Sequence, residues 1–216
     1  MSMKTKEYLK ILKEEIHSTV IATKDDRGFP VTRVIDIMLV DDVGLYFLTA
    51  KGKAFYEQLM TQNYVALTGM TSGTDSMKRK AISIRGRVKN IGDQKLTEIF
   101  EGDPYMATIY PSEVSRRALQ VFCLYEGAGE YFDLSTKPIR RANFVIGKSV
   151  NESDLTSYGY TINNQCTGCG ACLEACPQNC IITEKIPFTI EQSHCLHCGN
   201  CVEICTFGAV EYGKKE

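Results

Sequence analysis

Nine of the chain's ten cysteines fall between residues 166 and 205, and their spacing repeats. Cys166, Cys169, Cys172 and Cys176 are separated by two, two and three residues, and so are Cys195, Cys198, Cys201 and Cys205. Each member of the first quartet lies 29 residues before its counterpart, and Gly170 and Glu174 recur at the same interval as Gly199 and Glu203. Such a period marks an internal duplication.

Three thiolates at intervals of three can curl around a cuboidal iron–sulfur cluster. Gly168, Gly170 and Ala171 leave room for backbone to approach the sulfides. A cysteine four residues further on sits about one turn into a helix, facing away from that cluster. In a duplicated unit it reaches the other cluster, as in bacterial two-cluster ferredoxins. By this rule Cys166, Cys169, Cys172 and Cys205 hold one 4Fe–4S cluster, and Cys195, Cys198, Cys201 and Cys176 hold the second. Structural zinc generally uses two knuckles of two ligands each, without a crossover. A disulfide framework does not suit a reducing compartment. The repeats differ where Pro177 follows Cys176 but Thr206 follows Cys205; proline is not a ligand, so both clusters are still expected. Cys180 is equivalent to Ala209 and is expected as a small buried residue. His194 and His197 flank Cys195 but are not needed as ligands. Clusters saturated by thiolates carry single electrons and do no substrate chemistry, so the rest of the function lies elsewhere in the chain.

Charge divides the chain at the same place as cysteine content. Residues 1–150 carry 22 Lys/Arg against 18 Asp/Glu, whereas 151–216 carry 3 against 8, giving +4 and −5 and the overall −1. The expected organisation is one domain over 1–148, a polar linker over 149–158 and a second domain over 159–216. No apolar run approaches a bilayer span, and the start "MSMKTKEYLK" lacks a signal-peptide core. The expectation is a cytoplasmic protein that does not engage a membrane.

In the first domain, Leu9, Leu12 and Ile16 recur at helical spacing. Three strands follow, with hairpin turns at Asp25–Gly28 and Asp41–Gly44. A short helix over "KAFYEQLMTQ" precedes strands "YVALTGMT" and "KAISIRGRVKNI", then helical "DQKLTEIFEG" and "SEVSRRAL". A last hairpin is expected from "LQVFCLYEG" and "EYFDLS" around Gly127-Ala128-Gly129. Six or more strands with sparse helices and no βαβ alternation predict a mainly β fold, an antiparallel split barrel, followed by a small α+β ferredoxin domain. There is no phosphate-binding P-loop, dinucleotide fingerprint or nucleophile elbow. The basic stretch Lys78-Arg79-Lys80, with Arg85 and Arg87, lacks the aromatic residues of a nucleic-acid site. Its expected role is a solvated face, with docking of the acidic ferredoxin module or of a redox partner as the alternative.

The order of elements resembles the pyridoxamine-phosphate-oxidase-like family of FMN-binding split barrels. The resemblance covers roughly residues 5–135 and rests on "VTRVIDIM", "LYFLTAKGKAFYEQL" and "NYVALTG". It departs where Tyr64 replaces a proline in the family's turn. The resemblance implies that Arg33 lies near the FMN phosphate or ribityl chain. It also implies that Val34, Ile35 and Asp36 run along the isoalloxazine edge, and that Thr49, Lys51 and Lys53 form the phosphate-binding turn. Cationic donors beside a helix start suit a dianionic phosphate. Structural readings stand beside these roles: Lys51 and Lys53 as solvated charges, Thr49 as a helix cap, and Arg33 paired with Asp36. The family pattern further implies a homodimer sharing two flavin sites.

Together these observations predict a flavin/iron–sulfur oxidoreductase. Two 4Fe–4S clusters exchange electrons with a soluble partner protein, and FMN acts on a small-molecule acceptor. Two alternatives stay open: a barrel that binds haem or a deazaflavin, and a ligand-binding or sensor barrel whose clusters report redox state.

Overall fold

The computed structural model describes residues 3–148 and 158–214. The expected 149–158 linker therefore lies almost wholly outside the described residues. The chain begins with α1 (Thr5–Lys10), which buries Tyr8 and Leu9 and widens into a π-helical turn over Ile11–Ile16. His17 ends that turn in a backbone conformation of φ 62° and ψ −65°, rare for a non-glycine residue. From there the chain enters β1 (Ser18–Lys24) and doubles back as β2 (Pro30–Asp36). The turn between them is shaped by Asp25, whose carboxylate accepts the N–H groups of Arg27 at 2.9 Å and Phe29 at 2.8 Å. Gly28 supplies the left-handed residue there, at φ 86°.

The chain continues through β3 (Leu39–Val40), β4 (Leu45–Ala50), α2 (Ala54–Gln62), β5 (Tyr64–Met70) and β6 (Lys80–Gly92). Three short helices follow: α3 (Leu96–Gly102), α4 (Met106–Ile109) and α5 (Glu113–Arg116). Strands β7 (Leu119–Asp133) and β8 (Arg140–Ile146) complete an eight-stranded antiparallel sheet, ordered β2-β1-β5-β6-β7-β4-β3 with β8 on β7. This is the expected mainly β architecture, an antiparallel half-barrel with a few short helices.

One local expectation is corrected. The stretch read as a hairpin around Gly127-Ala128-Gly129 is a single fifteen-residue strand. The glycines serve close approach rather than a turn: a Cβ at Gly127 would meet the Arg85 carbonyl of β6, and one at Gly129 would meet the Phe144 ring of β8. Strand β8 and helix α4 were not anticipated.

Two apolar clusters lie on opposite faces of β4 and β7. The inner one joins Leu45, Phe47, Phe122 and Leu124 to Tyr8, Leu12, Ile21 and Leu59. The outer one packs Tyr46, Leu119, Val121 and Cys123 against Ile99, Phe100 and Met106. Cys123 is thus a core residue. In the basic stretch, Lys78 pairs with Asp75 and Lys80 with Glu15. Among the described residues no helix is long and apolar enough to cross a membrane.

The C-terminal part contains β9 (Tyr158–Ile162), α6 (Ala171–Ala175), β10 (Ile181–Ile182), β11 (Thr189–Ile190), α7 (Asn200–Glu203) and β12 (Val210–Lys214). Strands β9 and β12 pair, as do β10 and β11. The duplication is visible in the backbone: Gly170 and Gly199 precede α6 and α7 at φ/ψ of 83°/−7° and 84°/−8°. This part meets the sheet at the start of β8. The Arg141 N–H donates to the Ser193 carbonyl at 2.7 Å, and the Ile139 N–H donates to the Gln178 side chain at 3.0 Å. The His194 Nδ1–H donates to the Ile139 carbonyl at 2.8 Å.

Candidate functional site

The eight repeat cysteines surround two cavities. Cys166, Cys169, Cys172 and Cys205 line one, together with Phe188 and Ala209. Cys176, Cys195, Cys198 and Cys201 line the other, together with Cys180. Each cavity therefore draws three cysteines from one repeat and one from the other. The crossover arises because Cys176 and Cys205 follow α6 and α7, which carry them away from their own loops. Backbone amides aim at the sulfurs equivalently: Cys180 N–H to Cys176 Sγ at 3.5 Å, and Ala209 N–H to Cys205 Sγ at 3.4 Å.

Burial and the neighbouring Cys195 and Cys198 thiols push Cys201 up to about 11. Burial likewise raises Cys172. At Cys176 the amides of Cys180, Gln178 and Asn179 outweigh burial and lower the thiol's pKa. Packing several thiolates into one cavity is costly without a multivalent cation to offset their charge. Among the described residues no three His, Cys, Asp or Glu side chains converge tightly enough for a single metal ion. The quartets instead stand around a space, which is the arrangement a multinuclear cluster needs. Cys180 is buried as expected, but its Sγ lies 3.4 Å from Cys176 Sγ, so it shares the second cavity rather than packing apart from it.

The candidate FMN residues divide into three groups. Arg33 points from β2 toward α2, where its guanidinium donates to Thr23 Oγ1 at 2.6 Å and Gln58 Oε1 at 2.8 Å. It stacks 4.4 Å from the Phe55 ring. Its partners are neutral, burial lowers its pKa, and among the described residues no carboxylate pairs with it. A half-buried guanidinium with only neutral acceptors retains an unmet demand for an anion. Lys53 precedes the first residue of that same α2 and is exposed; no side chain caps the helix. Thr49 is buried at the end of β4, just before the turn into α2.

The second group faces elsewhere. Val34 is 67% exposed on the outer face of β2, while Ile35 packs against the inner core. Asp36 does not pair with Arg33. It accepts hydrogen bonds from Ser18 Oγ at 2.6 Å and Tyr105 Oη at 2.7 Å, and lies 3.7 Å from His17 Nε2. Burial alone would raise the Asp36 carboxyl, but these hydrogen bonds and the His17 and Lys13 charges bring it below its ordinary value. Lys51, finally, lines a separate cleft with Glu113, Arg116 and Arg117. Structure thus ties Arg33 to α2 and leaves Lys53 at that helix's start, but takes Lys51 and Asp36 away. Sequence reading missed Tyr105 and His17 as partners of Asp36. Tyr105 is 69 residues distant, and only the fold brings it near.

An antiparallel half-barrel followed by a duplicated cysteine unit defines a split-barrel protein with a ferredoxin-like C-terminal region. Residues 5–125 match the family described as Pyridoxamine 5'-phosphate oxidase, and residues 165–209 match the 4Fe-4S dicluster domain. The first match spans more than half of the chain, which therefore belongs to the pyridoxamine 5'-phosphate oxidase family. Comparison with curated proteins gives no match. Among solved structures, the chain is similar to a nimc/nima family protein from Clostridium acetobutylicum. The identity is 17% and the TM-score 0.54, covering 67% of this chain and 95% of that one. It is also similar to a heme binding protein from Mycobacterium smegmatis, at 9% identity and TM-score 0.52, covering 67% of this chain and 59% of that one. At these identities the likeness shows the fold alone.

Proposed function

We propose that the chain is a cytoplasmic flavin/iron–sulfur oxidoreductase, acting as a homodimer, in which the cysteine quartets hold two 4Fe–4S clusters and the barrel holds FMN. When bound, these groups supply one-electron carriage and two-electron storage between a soluble partner protein and a small acceptor. The observation that carries this reading is the contact between the modules. Residues beside Cys176 and Cys195, namely Gln178, Ser193 and His194, hydrogen-bond to Ile139 and Arg141 where β8 begins.

The chain's own residues have definite tasks in this reading. Arg33, Lys53 and the uncapped start of α2 hold the flavin's phosphate, with Thr49 beside them, because cation and free amides together favour a dianion. Lys51 and Asp36 are left out of this proposed set because Lys51 lines a cleft with Glu113, Arg116 and Arg117 and Asp36 is held by Ser18 and Tyr105. The eight cysteines bind as thiolates, while the amides of Cys180, His197 and Ala209 donate to the sulfurs of Cys176, Cys195 and Cys205 and stabilise negative charge there. The split barrels of this family are commonly dimeric, which supports a second copy at the flavin site.

Anaerobic purification followed by iron, sulfide and flavin assays tests the reading. The expected result is about eight irons and one FMN per chain, since each of two clusters holds four irons. Iron without flavin would favour a sensor barrel. A Soret band would place haem in the barrel, the group that the Mycobacterium smegmatis neighbour is described as binding. Either result overturns the flavin assignment.

A further inference from the structure

The duplication that builds the cysteine module also gives it two equivalent faces. One of them meets the barrel: Gln178, Ser193 and His194, beside Cys176 and Cys195, hydrogen-bond to Ile139 and Arg141. The 29-residue repeat maps these three onto Phe207, Asn164 and Gln165, beside Cys205 and Cys166 of the first cavity. All three of those residues are exposed.

The two repeats treat these positions differently. Leu173, Ala175 and Gln178 are half-buried, whereas Val202, Ile204 and Phe207, which stand at the same repeat positions, are 36%, 46% and 47% exposed. The exposed three lie along α7 and the turn that follows it, on either side of Cys205. Clustered apolar side chains with a polar rim are the mark of an interaction surface. The surroundings are acidic. Across 158–214, Lys185 and Lys214 stand against Glu174, Glu184, Glu191, Glu203 and Glu211, and Glu203 lies within the apolar run itself. What the barrel sets against the equivalent face is the chemical complement. Its segment 137–141 carries Lys137, Arg140 and Arg141 around the buried Ile139.

We propose that the face of Val202, Ile204 and Phe207 docks a separate basic protein, one that presents an apolar residue among cations as the barrel does to the equivalent face. The apolar side chains supply short-range attraction. The acidic surroundings steer the encounter and make it sensitive to salt. Docking itself does not depend on the function proposed above. That the docked protein is an electron carrier rests on that reading, since this face brings it to Cys205 and the first quartet. The two quartets then have different tasks, the first serving the outside partner and the second the barrel.

The test uses the full chain, purified anaerobically, and ferric cytochrome c as the basic probe protein. Calorimetric titration at low ionic strength is expected to show saturable binding at one site per chain, weakening as salt is added. Phe207→Ser should weaken it tenfold or more with circular dichroism and iron content unchanged. Ile204→Ser, expected to weaken it at least threefold, provides a second variant should the first lose iron. Ile109→Ser, at an exposed apolar residue of α4 in the barrel, should leave affinity within twofold. Absence of saturable binding, affinity unchanged in both face variants, or an equal loss in Ile109→Ser overturns the proposal. So does a fall in assembly mass on Phe207→Ser with affinity unchanged, because the face would then be a contact between copies. Iron and flavin assays on the same samples report separately on the flavin/iron–sulfur reading.

Discussion

The two parts of this chain are held together by different means. The barrel buries Tyr8, Leu12, Ile21, Phe47, Phe122 and Leu124 in one continuous apolar cluster, all at 2% exposure or less. In the C-terminal part, the buried apolar residues among those described are Cys180, Phe188, Cys195, Cys201, Ala209 and Val210. Half of those are cysteines that line one cavity. A unit of about 60 residues is already marginal on area grounds, and here the interior is lined by thiols that repel one another once ionised. On the proposed reading the barrel stands on its apolar core, whereas the cysteine module needs its clusters to hold it together, in the manner of small metal-dependent domains.

Metal removal is the harshest way to break this contrast. Stripping iron with acid and chelator, then returning to neutral pH, should abolish hydrogen-exchange protection over 158–214 while β4, β6 and β7 stay protected. Protection that survives in both parts would show an apolar core sufficient for each. The reciprocal perturbation is Phe47→Ala, which leaves a cavity in the inner cluster. It should cost the barrel about 3–5 kcal/mol in denaturant unfolding, with iron content per folded chain unaltered.

Within the cysteine module the contrast sharpens to single atoms. Cys176→Ala should remove a ligand from the cavity of Cys195, Cys198 and Cys201 and so lower iron by up to half, whereas Cys180→Ala should retain full iron. Both are read by iron assay and by the electron paramagnetic resonance of the reduced protein. Loss of iron in Cys180→Ala would make the fifth cysteine a ligand and the repeat a misleading guide there.

The smallest effect belongs to the barrel rim. Asp36 has a lowered pKa in the folded chain. Its contribution to stability is therefore present above the unfolded carboxylate value, roughly 4, and is lost as pH falls through the folded value. Tyr105→Phe, which removes one hydrogen bond to Asp36, should move that acid loss to higher pH. A melting temperature profile between neutral pH and pH ~3 checks this, and an unshifted profile would show that Tyr105 does not stabilise the carboxylate.

What could be read from the sequence differs between the parts for the same physical reason. Iron–sulfur geometry imposes spacing on the chain, so the quartets are legible as a pattern of residues three and four apart. Barrel strands were legible too, because alternation and the Asp-Asp-x-Gly turns at 25–28 and 41–44 are local. The glycines of β7 misled: Gly127 and Gly129 have the composition of a turn, yet they are there to admit Arg85's backbone and the Phe144 ring. The residues proposed to hold the flavin, on β2, β4 and α2, leave only diffuse traces. Lys51 and Lys53 are two residues apart in sequence, yet Lys51 lines a cleft with Arg116 and Arg117 while Lys53 stands exposed at the start of α2. Nothing local reveals that Tyr105 meets Asp36; only the fold does.

The central claim is that the cysteine module and the barrel form one redox unit through the contact at Ile139–Arg141. An anaerobic reductive titration of the full chain, following flavin absorbance and the resonance signal of reduced clusters together, tests it most directly. The account predicts that both groups draw on one equilibrating pool of electrons, with flavin bleaching at a rate independent of protein dilution. Clusters that become reduced while bound flavin stays oxidised on long incubation would contradict it.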